Sequence, residues 1–380
     1  MRLVVAASTV LLLLAAPAGA GLPAPFIPDD PGYPVNEPSL ISMGVDEAWS
    51  LTQGDPAVVI AVIDSGTAPN PDFDFVPGRN ILDNDSSTPD QNGHGTAMAA
   101  IAAAQIDNGI GVAGICGRCR IMAVKISGAD DRHLNADLAA GINWAVDHGA
   151  DVINVSRFMD RGLPAYAPLN AAIARAIAHG VPVFLCAGNN GSSDPAANVL
   201  ASSNPKAVRV GNFYPESNHG KWVDVAADSD FVTFGLRPAP GGTSSATAAV
   251  SGIAGLMLSC NPALSPAEIK QILISTSNPA DVDVRAHGEV NAYKAVMRAG
   301  CRESPAAIVR LMVHVRGHGS VTRRPDDDTY NAGTVVVLRA KAQPHWRFAR
   351  WQGVCHGRRA MCTVRLSQSG VTTAVFRRAR

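Results

Sequence analysis

The amino-acid sequence predicts a doubly wound α/β domain with a mostly parallel sheet, followed by a small all-β domain. Apolar runs typical of buried parallel strands occur at 57–63, 120–126, 151–155, 181–187 and 207–211. Helical patterns lie between these runs, and strands that alternate with helices form a parallel sheet covered by helices on both faces. Late in the chain the pattern changes to β-like stretches separated by turns, at 311–315, 334–338 and 372–376.

Two of the intervening helices have clear signals of their own. Between 134 and 148, apolar residues recur at spacings of three and four, which places them on one buried stripe: Leu138, Ile142, Ala145 and Val146. Ser265-Pro266-Ala267-Glu268 is a capping box with proline at the first helical position, so a helix is expected to begin there. Both patterns are structural, and we assign them no chemistry.

The start of the chain has the pattern of a signal peptide. Residues 1–20 contain Arg2, an apolar stretch through Leu14, and small residues up to Ala20. The alternative is an uncleaved membrane anchor, but the apolar run is short and ends in Pro17 and small residues. No later stretch approaches the roughly 20 apolar residues of a membrane span. The sequence therefore predicts a secreted protein, extracellular or periplasmic.

We divide the chain of 380 residues into a signal peptide (1–20), an N-terminal arm (21–43), the α/β domain (44–303) and an all-β module (304–380). The arm is rich in proline and too short for a folded pro-domain. The module has fourteen Arg and Lys residues against three Asp, a net charge of +11. Because the whole chain has 32 residues of each sign, the preceding residues carry −11. The module is thus a candidate for binding a polyanionic surface, with a solvated basic surface as the equal alternative. No specific nucleic-acid binding is expected.

Three short segments supply an acid, a base and a nucleophile in the order Asp, His, Ser. Asp64 follows the apolar run 57–63, at the carboxyl end of a predicted strand, where open α/β sheets place their sites. His94 lies between two glycines at the start of a small-residue helical run, and Ser244 likewise stands at a helix start. A serine there gains from the helix N-terminus, which favours developing negative charge. This is one of the chain orders in which the catalytic triad geometry is known.

Each of these residues has a structural alternative when it is taken alone. Asp64 could close a strand-end turn, His94 could cap a helix, and Ser244 could be an N-cap serine. Gly317-His318-Gly319 repeats the Gly-His-Gly pattern without a helical run after it, and it follows the serine in the chain. We therefore interpret His318 as a turn or surface histidine.

A fourth element strengthens the catalytic interpretation. The apolar run 181–187 is followed by Gly188-Asn189-Asn190-Gly191, so an amide side chain stands at the end of a predicted strand. Asn189 and the backbone N–H of Ser244 could together donate hydrogen bonds to an oxyanion. The alternative, in which Asn189 only supports a turn, loses weight beside the three triad residues.

With these residues in place, residues from about 28 to 300 resemble a subtilisin-like serine peptidase of the subtilase family, closest in pattern to its thermitase-like branch. The triad segments, Asn189, the strand at 151–156 and the segment 222–227 carry the resemblance. It implies a secreted serine endopeptidase that cuts protein or peptide substrates through an acyl-enzyme intermediate. The all-β module resembles small β-repeat modules of bacterial surface and secreted proteins, through segments such as 350–353.

The same resemblance assigns the substrate-binding residues. Ser156 belongs to the strand that lines the substrate cleft in this family. The family usually has Leu-Gly after that serine, whereas this chain has Arg157-Phe158. We expect Arg157 and Phe158 to lie at the cleft, where Phe158 narrows or closes the primary specificity pocket. The alternative function is a non-catalytic extracellular binding protein with an altered cleft, and an esterase or acyltransferase using the same triad is a third.

The resemblance also implies structural calcium. In the thermitase-like branch an acidic N-terminal arm ligates Ca²⁺, and the segment 28–31 matches that arm. Carried over residue by residue, the ligands are the side chains of Asp30, Asp72 and Asn108 and the backbone carbonyls of Gln105, Ile110 and Val112. Oxygen donors of this kind are what Ca²⁺ prefers. A weaker calcium region is overlapped by Asp83, Asp85, Thr88 and Asp90. Solvated acidic loops are the alternative for both clusters.

The seven cysteines fit an oxidising compartment. One pair flanks a short turn of the module, one brackets the last helices of the α/β domain, and one forms a Cys-x-x-Cys segment that opens no helix. The predicted disulfides are Cys355–Cys362, Cys260–Cys301 and Cys116–Cys119. Cys186 is left over, and we expect it to be a buried free thiol.

Overall fold

The structure, a computed structural model, contains two compact units that divide after Arg302. The residues that it describes are 25–130, 134–157, 166–233, 239, 241–302, 308–331, 334–366 and 369–379. The predicted signal peptide and the predicted specificity residue Phe158 lie outside these described residues.

The larger unit is built on a nine-stranded sheet within the described residues. Its strands are β1 (Val59–Asp64), β2 (Arg79–Asn80), β3 (Arg120–Lys125), β4 (Val152–Val155), β5 (Val183–Cys186), β6 (Val208–Gly211), β7 (Val225–Ala226), β8 (Asn278–Pro279) and β9 (Gly288–Glu289). Their spatial order is β2-β3-β1-β4-β5-β6-β7-β9-β8, and neighbouring strands are parallel except β8 and β9. Each of the five apolar runs in the sequence forms a strand of this sheet, because parallel strands are buried on both faces.

Helices cover this sheet on both faces. They are α1 (Tyr33–Ser42), α2 (Val45–Trp49), α3 (His94–Ala103), α4 (Asn135–Asp147), α5 (Ala167–Ala178), α6 (Val199–Ser202), α7 (Gly242–Cys260), α8 (Pro266–Thr276) and α9 (Ala292–Ala299). One buried cluster joins α3 and α7 to Ile60 and Val62 of β1. A second joins α4 and α5 to Ala61 and Ile63 of the same strand. Because successive side chains of a strand point to opposite faces, this is the predicted doubly wound arrangement.

The two helix signals in the sequence are confirmed. Leu138, Ile142 and Ala145 of α4 are buried in one apolar cluster. The capping box that opens α8 is complete, because Ser265 Oγ accepts from Glu268 N at 3.3 Å and Ser265 N donates to Glu268 Oε2 at 2.8 Å. Both helices therefore begin or pack as their local residue patterns require.

The long helix α7 passes through the core of the larger unit. A Cβ added at Gly252 would lie 2.8 Å from the Ala102 carbonyl oxygen, so glycine is what lets α7 approach α3 this closely. Within the described residues, α7 alone is long and apolar enough to span a membrane, but 89% of its apolar window is buried in the protein. It is the central helix of the core.

Strand β1 is the point at which the strand order reverses. Its parallel partners are β3 on one side and β4 on the other, with Val62 opposite both Ala123 and Asn154. Open α/β sheets form their ligand crevice beyond the carboxyl ends of the strands at such a switch point. Asp64 is the last residue of β1 and therefore lies at that crevice.

The smaller unit contains β-strands throughout its described residues. They are β10 (Ile308–Val309), β11 (Leu311–Arg316), β12 (Gly319–Arg324), β13 (Tyr330–Asn331), β14 (Val335–Ala342), β15 (Trp346–Gly353), β16 (Met361–Arg365) and β17 (Gly370–Arg378). The main sheets have the orders β11-β17-β15 and β12-β14-β16. Buried residues of both sheets share one core, which includes Leu338, Trp351 and Phe376. The predicted fold class, α/β followed by a small all-β unit, is confirmed.

The predicted disulfides are all present. They are Cys116–Cys119, Cys260–Cys301 and Cys355–Cys362. Cys186 is buried in β5 and is the free cysteine of the described chain, as expected. Burial raises the pKa of its thiol to about 12, so Cys186 stays protonated and behaves as a packed apolar side chain.

Candidate active site

Asp64 is fully buried and works as a hydrogen-bond acceptor. His94 Nδ1 lies 2.8 Å from its Oδ1 and 2.9 Å from its Oδ2, and the backbone N–H of Ser65 donates to Oδ1 at 2.7 Å. Burial alone would raise the pKa of Asp64, but the charges of His94 and Arg157 and these hydrogen bonds hold it at about 2. Asp64 is therefore a carboxylate throughout the range in which the protein is expected to act.

A carboxylate only accepts hydrogen bonds, so this contact makes Nδ1 the proton-bearing nitrogen of a neutral His94 ring. Nε2 is then the basic nitrogen, which is the tautomer that a general base needs. His94 begins α3, and its backbone N–H donates to Asn92 Oδ1 at 3.1 Å. A Cβ added at Gly95 would lie 2.2 Å from the Gly66 carbonyl oxygen, so glycine allows α3 to approach the end of β1.

The carboxylate of Asp90 braces the loop that carries His94. It accepts from Gly93 N at 2.8 Å, from Thr96 N at 2.9 Å and from Ser65 Oγ at 2.8 Å. Ser65 Oγ in turn accepts from Gly95 N at 2.9 Å. The start of α3 is thereby tied to the residue that follows Asp64, which fixes the position of the imidazole relative to the carboxylate.

Ser244 is the third residue of α7 and is 7% exposed. Its Oγ donates to the Ser156 carbonyl at 3.2 Å, and Ser156 Oγ donates to the Ser244 carbonyl at 3.0 Å. Ser156 follows β4, the neighbour of β1, and the next residue, Arg157, donates to Asp64. These contacts connect Ser244 to the Asp64–His94 pair across the end of the sheet.

Asn189 lies three residues after β5 and is held against the start of α7. Its Oδ1 accepts from Thr243 N at 2.9 Å and from Thr243 Oγ1 at 3.0 Å. Gly188 N donates to the same Thr243 Oγ1 at 3.1 Å. The carboxamide oxygen is thus held on the residue before Ser244, and the two N–H donors of the same amide group remain to serve another acceptor.

Comparison with known proteins gives the family of this arrangement. The model of the subtilase family, peptidase S8, matches residues 55–295, which contain Asp64, His94, Asn189 and Ser244. The chain belongs to the subtilase family. Its relatives in that family include serine proteinases, and the enzyme class predicted from the sequence, a serine endopeptidase, is confirmed.

Curated relatives agree with this assignment. The subtilase is 37% identical over 266 residues to a thermophilic serine proteinase of Bacillus sp. (strain AK1), and the match spans 66% of this chain and 64% of that protein. It is 33% identical over 290 residues to thermitase of Thermoactinomyces vulgaris, across 71% of this chain and 99% of that protein. The resemblance to the thermitase-like branch is confirmed.

Among solved structures, proteases from Pseudoalteromonas arctica match the subtilase at a TM-score of 0.61 and 27% identity, over 68% of this chain and 94% of that one. A cold-adapted subtilisin-like serine proteinase matches at a TM-score of 0.54 and 27% identity, over 62% and 88%. A second family model, the divergent InlB B-repeat domain, matches residues 309–380 of the smaller unit. The β-repeat resemblance of that unit is confirmed.

The side chain of Arg157 turns inward. It is 5% exposed, and its Nη2 donates to Asp64 Oδ1 at 2.6 Å and to Ser127 Oγ at 3.1 Å. The sequence had placed Arg157 at the cleft as a substrate contact. In the subtilase its guanidinium lies on the carboxylate that holds His94, while Phe158 falls outside the described residues.

Lys125 is a residue of this site that the sequence analysis did not single out. It ends β3, directly opposite Asp64, and is 2% exposed. Its Nζ donates to the carbonyls of Ser65 at 2.6 Å and Ser127 at 2.8 Å and to Gln91 Oε1 at 3.0 Å. The signal in the sequence is a lysine that directly follows the four apolar residues 121–124. Burial lowers the pKa of Lys125, and the nearby carboxylates counteract that effect.

The predicted calcium ligands converge as a buried polar cluster. Asp30 and Asp72 are 2% and 1% exposed. Asn108 joins them, because its Nδ2 donates to Asp72 Oδ1 at 2.8 Å and its N–H lies 3.5 Å from Asp30 Oδ1. Burial raises the pKa of Asp30, and burial followed by the charge of Asp30 raises that of Asp72 to about 6. Two buried carboxylates that repel each other fit a site for a cation with oxygen ligands.

The predicted carbonyl ligands lie on the same loop. Gln105 N donates to the Asp72 carbonyl at 2.8 Å, and Val112 N donates to Asp72 Oδ2 at 3.1 Å, while Ile110 lies between Asn108 and Val112. A Cβ at Gly111 would lie 2.0 Å from Asp72 Oδ2, so the loop closes tightly on this carboxylate. Within the described residues, no group of three or more His, Cys, Asp or Glu side chains could hold a metal ion, so the fit depends on amide and carbonyl oxygens.

The carboxylates of the second acidic cluster have separate partners. Asp83 Oδ2 accepts from Asn80 Nδ2 at 2.9 Å, and Asp85 Oδ1 accepts from Ser87 N at 2.8 Å. Asp90 accepts the hydrogen bonds that brace the His94 loop. These contacts favour the alternative in which this cluster is an acidic loop that holds no calcium.

Proposed function

We propose that this subtilase is a secreted, calcium-stabilised endopeptidase that cuts peptide bonds through an Asp64–His94–Ser244 triad and an acyl-enzyme intermediate. The observation that carries the proposal is the pair of contacts, 2.8 and 2.9 Å, from His94 Nδ1 to a fully buried Asp64 carboxylate. A histidine held in this tautomer is poised to take a proton from a serine. Ser244, at the start of α7, supplies that serine.

The reaction follows from these roles. Ser244 Oγ attacks the carbonyl carbon of the peptide bond while His94 Nε2 takes the hydroxyl proton. The tetrahedral intermediate collapses, the C–N bond breaks, and His94 returns the proton to the leaving amine. Ser244 then carries the acyl group as an ester. Water attacks this ester with His94 again accepting the proton, and the acid product and the free serine are released.

Charge on the carbonyl oxygen is greatest in the tetrahedral intermediate. We assign its stabilisation to Asn189 Nδ2 and to the backbone N–H of Ser244. The bonds from Thr243 to Asn189 Oδ1 support this role, because they orient the amide before substrate arrives. The N–H of Ser244 lies at the positive end of the α7 dipole, which also stabilises the negative charge on the oxygen.

Activity requires a neutral His94, so it is expected to fall as the pH drops below about 6–7. A rate that stays flat down to pH 4 would contradict this assignment.

Ser156 is proposed to line the substrate cleft. Its carbonyl and its hydroxyl both form hydrogen bonds with Ser244, and these bonds fix the position of the nucleophile relative to the edge of the cleft. Arg157 and Phe158 stay predictions as direct substrate contacts.

Calcium would be held by Asp30, Asp72 and Asn108 with the carbonyls of Gln105, Ile110 and Val112. Its role would be structural, since it would neutralise two buried carboxylates and fix the N-terminal arm on the loop that precedes β3. The arm is already joined to that loop, because Asp107 N donates to Asp30 Oδ2 at 2.7 Å.

Binding of the smaller unit to a polyanionic surface is the second part of the proposal. The register of β12 with β14 pairs Thr322 with Arg339, so Arg324, Arg339 and Lys341 lie on one face, opposite to the core residues Val336 and Leu338. All three cationic side chains are exposed. A sheet face of this kind attracts polyanions in a salt-dependent manner.

The polyanion proposal is tested by retention on a heparin column across a salt gradient, with Ser244→Ala protein to prevent autolysis. When Arg324, Arg339 and Lys341 are replaced by serine, the protein is expected to elute at a clearly lower salt concentration. The matched control replaces the exposed Arg310, Arg358 and Arg359 by serine, which removes the same charge elsewhere. Equal losses in both triple variants would contradict a specific face, and retention that persists in high salt would contradict the electrostatic basis.

The catalytic proposal is tested by fluorophosphonate labelling of the purified protein, measured by intact mass. A single adduct is expected on the wild type and none on Ser244→Ala. Ser245→Ala is the matched control, because Ser245 is the next residue of α7 and is fully buried, and it is expected to label like the wild type. A folded wild type without an adduct would contradict the proposal and favour the alternative of a non-catalytic extracellular binding protein.

A further inference from the structure

Arg157 connects three neighbouring strands at the carboxyl end of the sheet. It follows β4 by two residues, and its Nη2 reaches Asp64 at the end of β1 and Ser127 two residues after β3. The side chain is 5% exposed, so the ion pair with Asp64 is shielded from water. An arginine buried in this way is costly unless its charge is paired. Asp64 is that pair.

The contact falls on one of the two carboxylate oxygens that face His94. Asp64 Oδ1 accepts from Arg157 Nη2 at 2.6 Å and from Ser65 N at 2.7 Å, and it lies 2.8 Å from His94 Nδ1. One carboxylate is thus shared between a permanent cation and an imidazole that becomes a cation during the reaction. The guanidinium fixes the plane of the carboxylate, and its charge opposes the formation of imidazolium beside it.

Other charged groups also act on this pair. Within the described residues, Lys125 of β3 interacts electrostatically with Asp64, Asp90 and Asp83. Asp90 accepts hydrogen bonds at the start of α3, from the loop that carries His94. Lys125 is held by two carbonyls and Gln91, whereas Arg157 is the cation in direct hydrogen-bond contact with Asp64.

We propose that Arg157 is a positioning residue of the triad, which aligns Asp64 on His94. It also shifts the acid limb, the low-pH side of the pH–activity profile on which His94 becomes protonated, to lower pH. This inference rests on the proposed function, because it needs His94 to act as the base. With Arg157 present, Asp64 stabilises imidazolium less than an unshared carboxylate would, so His94 stays neutral and competent to lower pH. Loss of the guanidinium should therefore move the acid limb to higher pH.

The size of the effect follows from the distances. A charge within about 4–6 Å shifts the pH at which its neighbour is half protonated by about 1–3 pH units. Arg157 acts on His94 through the shared carboxylate, so we expect a shift at the lower end, about one pH unit. Loss of alignment should also lower the plateau of kcat about tenfold with little change in KM, because the guanidinium of Arg157 is buried against Asp64.

The experiment measures kcat and KM for a peptide substrate from pH 4 to pH 9 in the wild type, Arg157→Met, Arg157→Gln and Arg157→Lys. The two neutral variants are expected to raise the midpoint of the acid limb by about one pH unit. Arg157→Lys keeps the charge and is expected to stay within about 0.3 pH units of the wild type. Arg175→Met is the matched control, since Arg175 forms an exposed ion pair with Asp147 on the neighbouring helices, and its profile should match the wild type.

Labelling by fluorophosphonate at each pH separates the two hypotheses. A wild type that does not label contradicts the triad and this inference together. A wild type that labels, beside neutral variants with an unchanged midpoint, overturns the role of Arg157 and leaves the triad intact. If Arg157→Met does not fold, Arg157→Gln decides by the same midpoint. Failure of all three variants to fold would make Arg157 a structural residue and would also overturn the proposal.

Discussion

Ser156 and Ser244 hydrogen-bond to each other in both directions, each through its hydroxyl to the carbonyl of the other. Ser156 Oγ also accepts from Asn154 Nδ2 at 3.0 Å, and Asn154 Oδ1 accepts from Ser251 Oγ at 3.0 Å. This network lies in the core and ties the end of β4 to two turns of α7. The position of the proposed nucleophile is therefore fixed by the sheet as well as by its own helix.

Ser156→Ala should test that network. Losing one buried hydroxyl leaves the Ser244 carbonyl and Asn154 with one partner fewer, which costs about 1–3 kcal/mol of unfolding free energy. We expect this loss in urea unfolding of the Ser244→Ala protein, and a fall in kcat of less than about tenfold in the active enzyme. Ser202→Ala, which removes a half-buried hydroxyl of α6, should change neither quantity noticeably. A Ser156→Ala protein as stable and active as the wild type would show that the network is dispensable.

Asn189→Ala is expected to lower kcat while KM stays nearly constant, because the lost donor acts on the oxyanion and not on the bound substrate. The loss of one such donor in a subtilisin lowers kcat by about 10²–10³, and we expect a similar factor here. Steady-state kinetics with a peptide substrate gives the answer. Asn190→Ala, one residue further along the same exposed turn, should keep kcat within a few-fold of the wild type, and equal losses in both variants would refute the oxyanion role.

Removal of calcium should destabilise the larger unit. Calcium that is present at about 100 times its Kd contributes about 2.7 kcal/mol, and EDTA should therefore lower the Tm by several degrees. The measurement is calorimetry of Ser244→Ala protein with Ca²⁺ and with EDTA. Asp72→Asn should abolish most of this difference. Asp85→Asn, in the second acidic cluster, should leave it unchanged, and the same Tm with and without Ca²⁺ would argue against the site.

Glu289 makes stability depend on pH. Burial raises its pKa to about 7, although Ser42 Oγ donates to its Oε1 at 3.1 Å. A carboxyl whose pKa is raised by folding contributes stability below its unfolded pKa, near 4.3, and that contribution is lost as the pH rises through 7. Since Glu289 is partly exposed, we expect Glu289→Gln to stabilise the Ser244→Ala protein by about 1 kcal/mol at pH 8 and by little at pH 4.

Urea unfolding at both pH values measures this difference. Glu216→Gln, at an exposed position, is the matched control and should be nearly neutral at both. Stabilisation by Glu289→Gln that is equal at pH 4 and pH 8 would mean that packing, and not the charge of Glu289, is responsible.

The long strands of the sheet could be predicted because their signals are local. A strand buried on both faces needs a continuous apolar run, and β1, β3 and β5 each have one. The short strands β2, β7 and β8 have only two residues each and lack such a run, so periodicity could not reveal them. Strands β2 and β8 lie at the two edges of the sheet, and β7 lies between β6 and β9, so their places depend on the strands beside them.

The Arg157 contact could not be predicted in the same way. The sequence shows an arginine after a strand, where a solvated side chain at the cleft is the usual outcome. Its inward direction depends on Asp64 and Ser127, which are 93 and 30 residues away in the chain and meet it only because β1 lies between β3 and β4. Lys125 was missed for the same reason, since its partners come from three separate loops.

The pattern of disulfides has a consequence for maturation. Each bridge closes within one unit, and the six bridged cysteines form no covalent link across the division after Arg302. One cut between residues 303 and 304 would therefore release two separate polypeptides without any reduction step. The chain of 380 residues has no net charge, but residues 1–303 carry −11 and residues 304–380 carry +11. Ion exchange at neutral pH would then collect the two fragments on opposite resins.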